Sequence, residues 1–190
     1  QKPRKGLVTA PAFSEYERAL GAAGGQTEFY ELREEQEFEI GADFLERINP
    51  EVDLVFLCSP NNPTGWPLEQ EFVKEALERC RACGARLVLD ECFVDFLEDP
   101  GQYEVRDLTK SFAMPGLRLG YALCGDRKFL ERMQEMLQPW NVSLPAQVAG
   151  VAALQGAEGY LEETRKVVAR GRAFIREGLE ACGFPVYGSK

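Results

Sequence analysis

Asp53-Leu54-Val55-Phe56-Leu57-Cys58-Ser59-Pro60-Asn61-Asn62-Pro63-Thr64-Gly65 is the stretch that decides the fold. Its first six residues form a nearly continuous apolar run, the pattern of a strand buried on both faces of a parallel sheet. A turn of Asn, Pro and Gly comes next, so the strand runs straight into a polar loop. The pattern recurs downstream. Arg86 to Asp90 reads as a strand ending on a carboxylate, and Glu104 to Leu108 as a strand succeeded at once by Thr109 and Lys110.

Helical segments alternate with these strands. Gly6 to Ala10 reads as a buried strand, and Ser14, with Glu17 three residues on, as the N-cap of a helix through Leu20 that Gly24-Gly25 ends. Thr27 to Leu32 alternates like a strand, and Gly41 to Ile48 reads as a short helix. Leu68 to Ala82 puts Phe72, Val73, Ala76, Leu77 and Cys80 on one helical face, with Gly84 as the terminating glycine. A strand over Leu117 to Cys124 and a helix over Asp126 to Leu137 come next. Pro139-Trp140 breaks the chain before helices over Pro145 to Leu154 and Tyr160 to Cys182, the last stopped by Gly183. This alternation predicts an α/β fold, a three-layer α/β/α arrangement around a mostly parallel sheet.

Composition narrows the function. A net charge of −9 disfavours nucleic acid and anionic membranes as partners, and no apolar run is long enough to span a bilayer. The absence of histidine excludes a Ser-His-Asp or Cys-His relay within the chain. Six cysteines, at 58, 80, 83, 92, 124 and 182, read as buried free thiols rather than disulfides, because 58, 92 and 124 lie in or beside apolar strand-like runs. Cys80-x-x-Cys83 has neither a second pair nor a histidine to complete a metal site, so no metal is expected. The chain opens on Gln1 with no signal or transit pattern; it is expected to be cytoplasmic and a piece of something longer.

Ligand-facing residues of open α/β sheets gather at the carboxyl ends of the strands. Asn62, Asp90 and Lys110 each stand just beyond a predicted strand, which brings an amide, a carboxylate and an amine toward one edge. A carboxylate at a buried strand end needs a partner. Read singly, each has a plainer alternative: Asn62-Pro63 an ordinary turn, Asp90 a strand-end cap, Lys110 a surface lysine, Arg118 a solvent-facing strand residue, Phe13 a core ring.

Taken in order, Asn-Pro-Thr-Gly (62–65), Asp-Glu (90–91) and Lys110 with Arg118 eight residues later resemble the fold type I, class I and II aminotransferase superfamily of pyridoxal-phosphate enzymes. The similarity is closest to its threonine-phosphate decarboxylase and histidinol-phosphate aminotransferase groups, and runs from about Leu7 to the last residues. The resemblance implies pyridoxal phosphate as cofactor and a phosphorylated amino acid or amine as substrate. By that resemblance Lys110 carries the cofactor and is the catalytic residue, and Asp90 pairs with the ring nitrogen. Asn62 donates to the phenolic oxygen, Arg118 and Thr109 hold the phosphate, and Phe13 stacks on the pyridine face. It further implies a homodimer, with residues 1–156 as the cofactor-binding large domain and 157–190 as a long helix opening a small domain.

Three departures from the family pattern stand out. Phe93 occupies the place where the aminotransferases usually carry Tyr, and Asp90 to Phe96 looks more like the decarboxylase group. Asp107 stands where Ser or Thr usually binds phosphate, and a carboxylate there would repel a phosphate dianion. The glycine loop that cradles the phosphate and the arginine that grips the substrate carboxylate have no counterpart in the chain. The expectation is therefore a central fragment with an incomplete site: a decarboxylase first, an aminotransferase second, and an inactive scaffold third.

Overall fold

A computed structural model describes residues 3–97 and 108–188, with Leu108 and Thr109 described by their backbone alone. Four parallel strands, β1 (Lys5–Ala10), β2 (Gln26–Glu31), β3 (Leu54–Cys58) and β4 (Arg86–Asp90), form one sheet in the order β2-β1-β3-β4. Leu7 lies opposite Val55, and Cys58 opposite Asp90. The chain steps outward from β1 to β2, then crosses back to β3 on the other side of β1. The carboxyl ends of β1 and β3 thus flank a switch point, where open α/β sheets bind ligands.

Side-chain alternation divides the core between the two faces. Leu7, Val55 and Leu57 pack with Phe44, Leu45, Ala76 and Cys80 on one face, under α2 (Gln70–Cys83). Val8, Phe56 and Cys58 pack with Tyr16 and Leu20 on the other, under α1 (Glu15–Ala22). Helix, sheet, helix is the three-layer arrangement expected. The predicted caps at Gly84 and Gly183 hold, both at positive φ (80° and 82°), a region open to glycine without steric cost.

Other expectations are corrected. Ser14 has helical dihedrals and makes no side-chain capping bond, so the predicted capping box with Glu17 does not form. The short helix expected over Gly41 to Ile48 does form, as a 3-10 helix over Ala42–Arg47. Leu117 to Cys124 is not a strand: Pro115–Leu117 is a 3-10 turn, Arg118 takes a left-handed φ of 51°, and no ladder comes after it. Gly116, Gly120 and Gly125 weaken extended pairing there. The partner its pattern calls for, Glu104 to Leu108, falls largely outside the described residues; Leu108 itself opens the short helix α3 (Leu108–Ser111). Cys124, taken for a buried thiol, is exposed in consequence, whereas Cys58 is buried and Cys92 half-buried.

The rest is helical: α4 (Arg127–Met136), α5 (Leu144–Gln155) and the 25-residue α6 (Ala157–Ala181). Asp126 and Ser143 cap α4 and α5, accepting from the backbone N–H groups of Phe129 and Ala146. Among the described residues no helix is long and apolar enough to cross a membrane.

Candidate active site

The loop after β3 is a self-bonded unit. The Asn61 N–H donates to the Trp66 carbonyl (2.8 Å), the Gly65 N–H to the Asn61 carbonyl (2.7 Å), and the Leu68 N–H to the buried Ser59 hydroxyl (2.9 Å). Gly65 sits at φ 76°, which explains a glycine in that turn. The Asn61 side-chain amide donates to the Pro11 carbonyl (3.2 Å) and to the Thr64 hydroxyl (3.0 Å), stitching the loop after β3 to the chain leaving β1. Asn61 is thus the asparagine that builds the loop. Asn62, half-buried beside it, is spared that task and lines an adjoining cleft.

That cleft has a volume of about 610 Å³ and lies between Asn62, Phe93 and Leu97 on one side and Val168, Arg172 and Ile175 of α6 on the other. Val186, in the segment after α6, also lines it, and that segment is tied down at several points. The Tyr187 hydroxyl donates to Glu34 (2.6 Å), its ring meets Phe38 edge-on at 5.5 Å, and Arg176 donates to the Gly188 carbonyl (2.8 Å). Gly188, at φ 65°, lies so close to the loop that an added Cβ would overlap the Thr64 carbonyl oxygen.

Asp90, at the end of β4, is the centre of the polar cluster. One carboxylate oxygen accepts from the Tyr16 hydroxyl (2.6 Å), and the other from the Cys92 N–H (3.0 Å) and the Cys92 thiol. Burial pushes this carboxyl up, but the thiol, the phenol, the backbone N–H and the nearby Lys110 charge outweigh it and hold the carboxyl below its ordinary range. Cys92 is driven the other way. Burial first and the Asp90 bond second raise its thiol to about 11, against the nearby Lys110 ammonium, which lowers it, so Cys92 is a neutral donor at neutral pH.

Lys110 reaches the cluster from α3. Its ammonium lies 3.7 Å from the centroid of the Phe93 ring, a cation–π contact, and its charge lowers both the Cys92 thiol and the Asp90 carboxyl. The Ser111 hydroxyl donates to Asp95 (2.7 Å), with both residues buried, which anchors this short helix to the turn after β4. On the far side, the Tyr16 ring stacks on Phe56 (5.2 Å, 19°) and takes Phe13 edge-on at 5.8 Å.

The structure therefore gathers Asp90, Lys110, Tyr16 and Cys92, with Phe13 exposed at the rim and Asn62 in the neighbouring cleft. It does not bring Arg118 in: that side chain is exposed and donates to the Pro115 carbonyl (3.3 Å). The Thr109 side chain and Asp107 lie outside the described residues. Sequence reasoning missed Tyr16, Cys92, Asn61 and Ser111. A faint signal existed for two of them, a Tyr two residues into a predicted helix and a Cys two residues beyond a strand-end carboxylate, but neither spacing alone names a bond.

The family model for aminotransferase class I and II matches residues 3–190. The chain belongs to this family. Class I and II aminotransferases are pyridoxal-phosphate dependent, which agrees with the cofactor expected from the sequence. Among curated relatives, threonine-phosphate decarboxylase of Salmonella typhimurium is 38% identical over 165 residues, 81% of this chain and 45% of that protein. Histidinol-phosphate aminotransferase of Methanococcoides burtonii is 33% identical, over 95% of this chain and 50% of that protein. The chain spans about half the length of the curated relatives it matches. Among solved structures, an aspartate aminotransferase mutant of Thermus thermophilus covers the whole chain with a TM-score of 0.88 at 28% identity, and 57% of that structure is matched. Histidinol-phosphate aminotransferase from Clostridium acetobutylicum covers 94% of the chain, with 56% of that structure matched, at a TM-score of 0.85 and 26% identity.

The cluster suits this cofactor. A carboxylate offers about four lone-pair sites, and the three donors on Asp90 leave acceptor capacity for a protonated ring nitrogen. An amine stands in the same cluster, and an exposed aromatic face lies beside it.

Proposed function

We propose that this chain is the cofactor-binding large domain of a pyridoxal-phosphate enzyme that acts on a phosphorylated amino acid or amine, most like threonine-phosphate decarboxylation. The observation that supports this most is the gathering at one strand end of Asp90, with a side-chain donor on each carboxylate oxygen, and of Lys110, whose ammonium lies over the ring of Phe93, three residues beyond Asp90. When bound, the cofactor supplies an electron sink for the bond broken at the substrate's α-carbon. Asp90 holds the proton on the ring nitrogen that keeps the sink effective. Lys110 binds the cofactor covalently through its amine and afterwards holds the proton that is delivered to the α-carbon. Asn62 donates to the phenolic oxygen, Phe13 covers one ring face, and Thr109 and Arg118 take the phosphate; Arg118 must turn from Pro115 to do so.

Phe93 favours the decarboxylase reading. It offers no hydroxyl to the phenolic oxygen and instead lends its face to Lys110. The second reading is histidinol-phosphate transamination, supported by the 33% identity that extends over 95% of the chain. There Lys110 would move a proton away from the α-carbon rather than toward it.

Residues 1–156 form the large domain in this reading, and 157–190 lead into a small one, in a cytoplasmic homodimer. The dimer is supported by exposed apolar side chains on one stretch, Trp140 (96% exposed), Leu144 and Val148, since patches of this kind mark protein interfaces. Sedimentation at micromolar concentration reads the dimer directly.

The test is an absorbance titration of the purified chain with pyridoxal phosphate, then borohydride reduction and peptide mapping. Modification confined to Lys110 is expected, and turnover of threonine phosphate to carbon dioxide, against amino transfer from histidinol phosphate, then separates the two readings. Labelling scattered over surface lysines, or absent, overturns the assignment of the site and leaves the scaffold alone.

A further inference from the structure

Asp90 reaches the strand end with two side-chain donors that no part of the motif names. Tyr16 is itself clamped. Its ring stacks on Phe56 of β3 and meets Phe13 edge-on, and its hydroxyl has Asp90 at 2.6 Å. Burial first, then the Asp90 bond, raises the phenol above its ordinary range, so it stays protonated and donates. Cys92 bonds the other oxygen twice, through backbone and thiol. Each oxygen of the carboxylate thus has its own side-chain donor, held by a different element of the fold.

We propose that Tyr16 and Cys92 are positioning residues for Asp90: the phenol and the thiol, one on each oxygen, fix the plane of the carboxylate and keep it ionised. The consequence for pyridoxal phosphate rests on the function proposed above; the consequence for Asp90 itself does not.

The charged and titratable groups facing Asp90 are Tyr16 from α1, Cys92 from the turn after β4 and Lys110 from α3, with Glu91 adjacent in the chain and Cys58 close by on β3. Among the described residues, only Tyr16 and Cys92 donate to it from side chains. Their loss should act on its titration in one direction, upward.

The experiment tracks the Asp90 carboxyl by carbon-13 NMR across pH in the cofactor-free chain, in the unsubstituted protein, Tyr16→Phe, Cys92→Ala and Cys92→Ser. Proton–nitrogen spectra check that each keeps its fold. Tyr16→Phe and Cys92→Ala are expected to move the titration upward, and Cys92→Ser, which restores a donor, to return it. Binding of pyridoxal phosphate, read by absorbance, should weaken by about tenfold for each lost donor. A titration that stays in place in folded Tyr16→Phe and Cys92→Ala overturns the proposal. Should Tyr16→Phe unfold, the Cys92→Ala and Cys92→Ser pair decides by itself. If the unsubstituted chain binds no pyridoxal phosphate, the proposed function fails while the titration still judges this inference.

Discussion

The Ser111 hydroxyl donates to the Asp95 carboxylate at 2.7 Å, and both residues are buried. Ser111 comes directly after Lys110 in α3, while Asp95 lies in the turn leaving β4, so one bond fixes where the lysine's helix sits relative to the strand that carries Asp90. Ser111→Ala removes the donor and leaves Asp95 buried without it. The expected cost is about 2 kcal/mol, within the range for stranding a buried acceptor, measured as a shift of the urea midpoint.

Gly188→Ala should act locally. Its φ of 65° disfavours any Cβ, and the Cβ would overlap the Thr64 carbonyl oxygen, so the segment after α6 must lift from the Asn-Pro-Thr-Gly loop. Of the order of 1–2 kcal/mol is at stake in the backbone conformation alone. Hydrogen exchange should quicken around Tyr187 and in residues 61–65 while β1 and β3 stay protected.

Two carboxyls give stability opposite dependences on pH. Asp53 accepts from the side chain and backbone of Arg4, which lower its carboxyl to about 2. A depressed acid contributes stability above its unfolded value, roughly 3.9, and loses that contribution as pH falls toward the folded one. Asp53→Asn should therefore flatten the thermal midpoint between about pH 4 and pH 2.

Glu91 is buried beside Asp90, and burial, then that neighbouring charge, raise its carboxyl. A raised acid makes the folded state hold its proton longer, so stability falls as pH climbs from the unfolded value, roughly 4.3, through the folded one. Glu91→Gln should remove this fall and give a higher midpoint at pH 7 than the unsubstituted chain, with little difference at about pH 4.

Arg118→Ala separates a phosphate ligand from a structural residue. The side chain is exposed and bonds only to the nearby Pro115 carbonyl among the contacts described, so stability should stay within about 0.5 kcal/mol. Affinity for pyridoxal phosphate should fall by about tenfold or more if the guanidinium takes the phosphate. Unchanged affinity, read in the same absorbance titration, would remove Arg118 from the site.

The central strands were readable because their chemistry is local. Leu54 to Cys58 and Arg86 to Asp90 are short apolar runs bounded by turn residues, and both formed at the predicted places. Gly84 and Gly183 marked helix ends for the same reason, since a positive φ is a property of one residue. Leu117 to Cys124 shows the limit: alternation describes a face, but a strand also needs a neighbour to pair with, and none among the described residues pairs there. The strand-end order also brought Asp90 and Lys110 into view, and the structure sets them near enough for the lysine's charge to act on the carboxyl. The bonds from Tyr16 and Cys92 were not legible. Seventy-four positions separate Tyr16 from Asp90, and only the sheet order β1-β3-β4 closes that gap.

The stack of Tyr16 on Phe56 carries an implication for how this chain can vary. Phe56 is a half-buried strand residue, and by packing alone Leu or Met would serve there. A smaller side chain would give the phenol room to tilt, and the tilt would be transmitted to the carboxylate it holds. Drift at Phe56 is thus restrained by chemistry enacted two contacts away, and a library selected for folding alone should accept replacements there that a library selected for cofactor retention rejects.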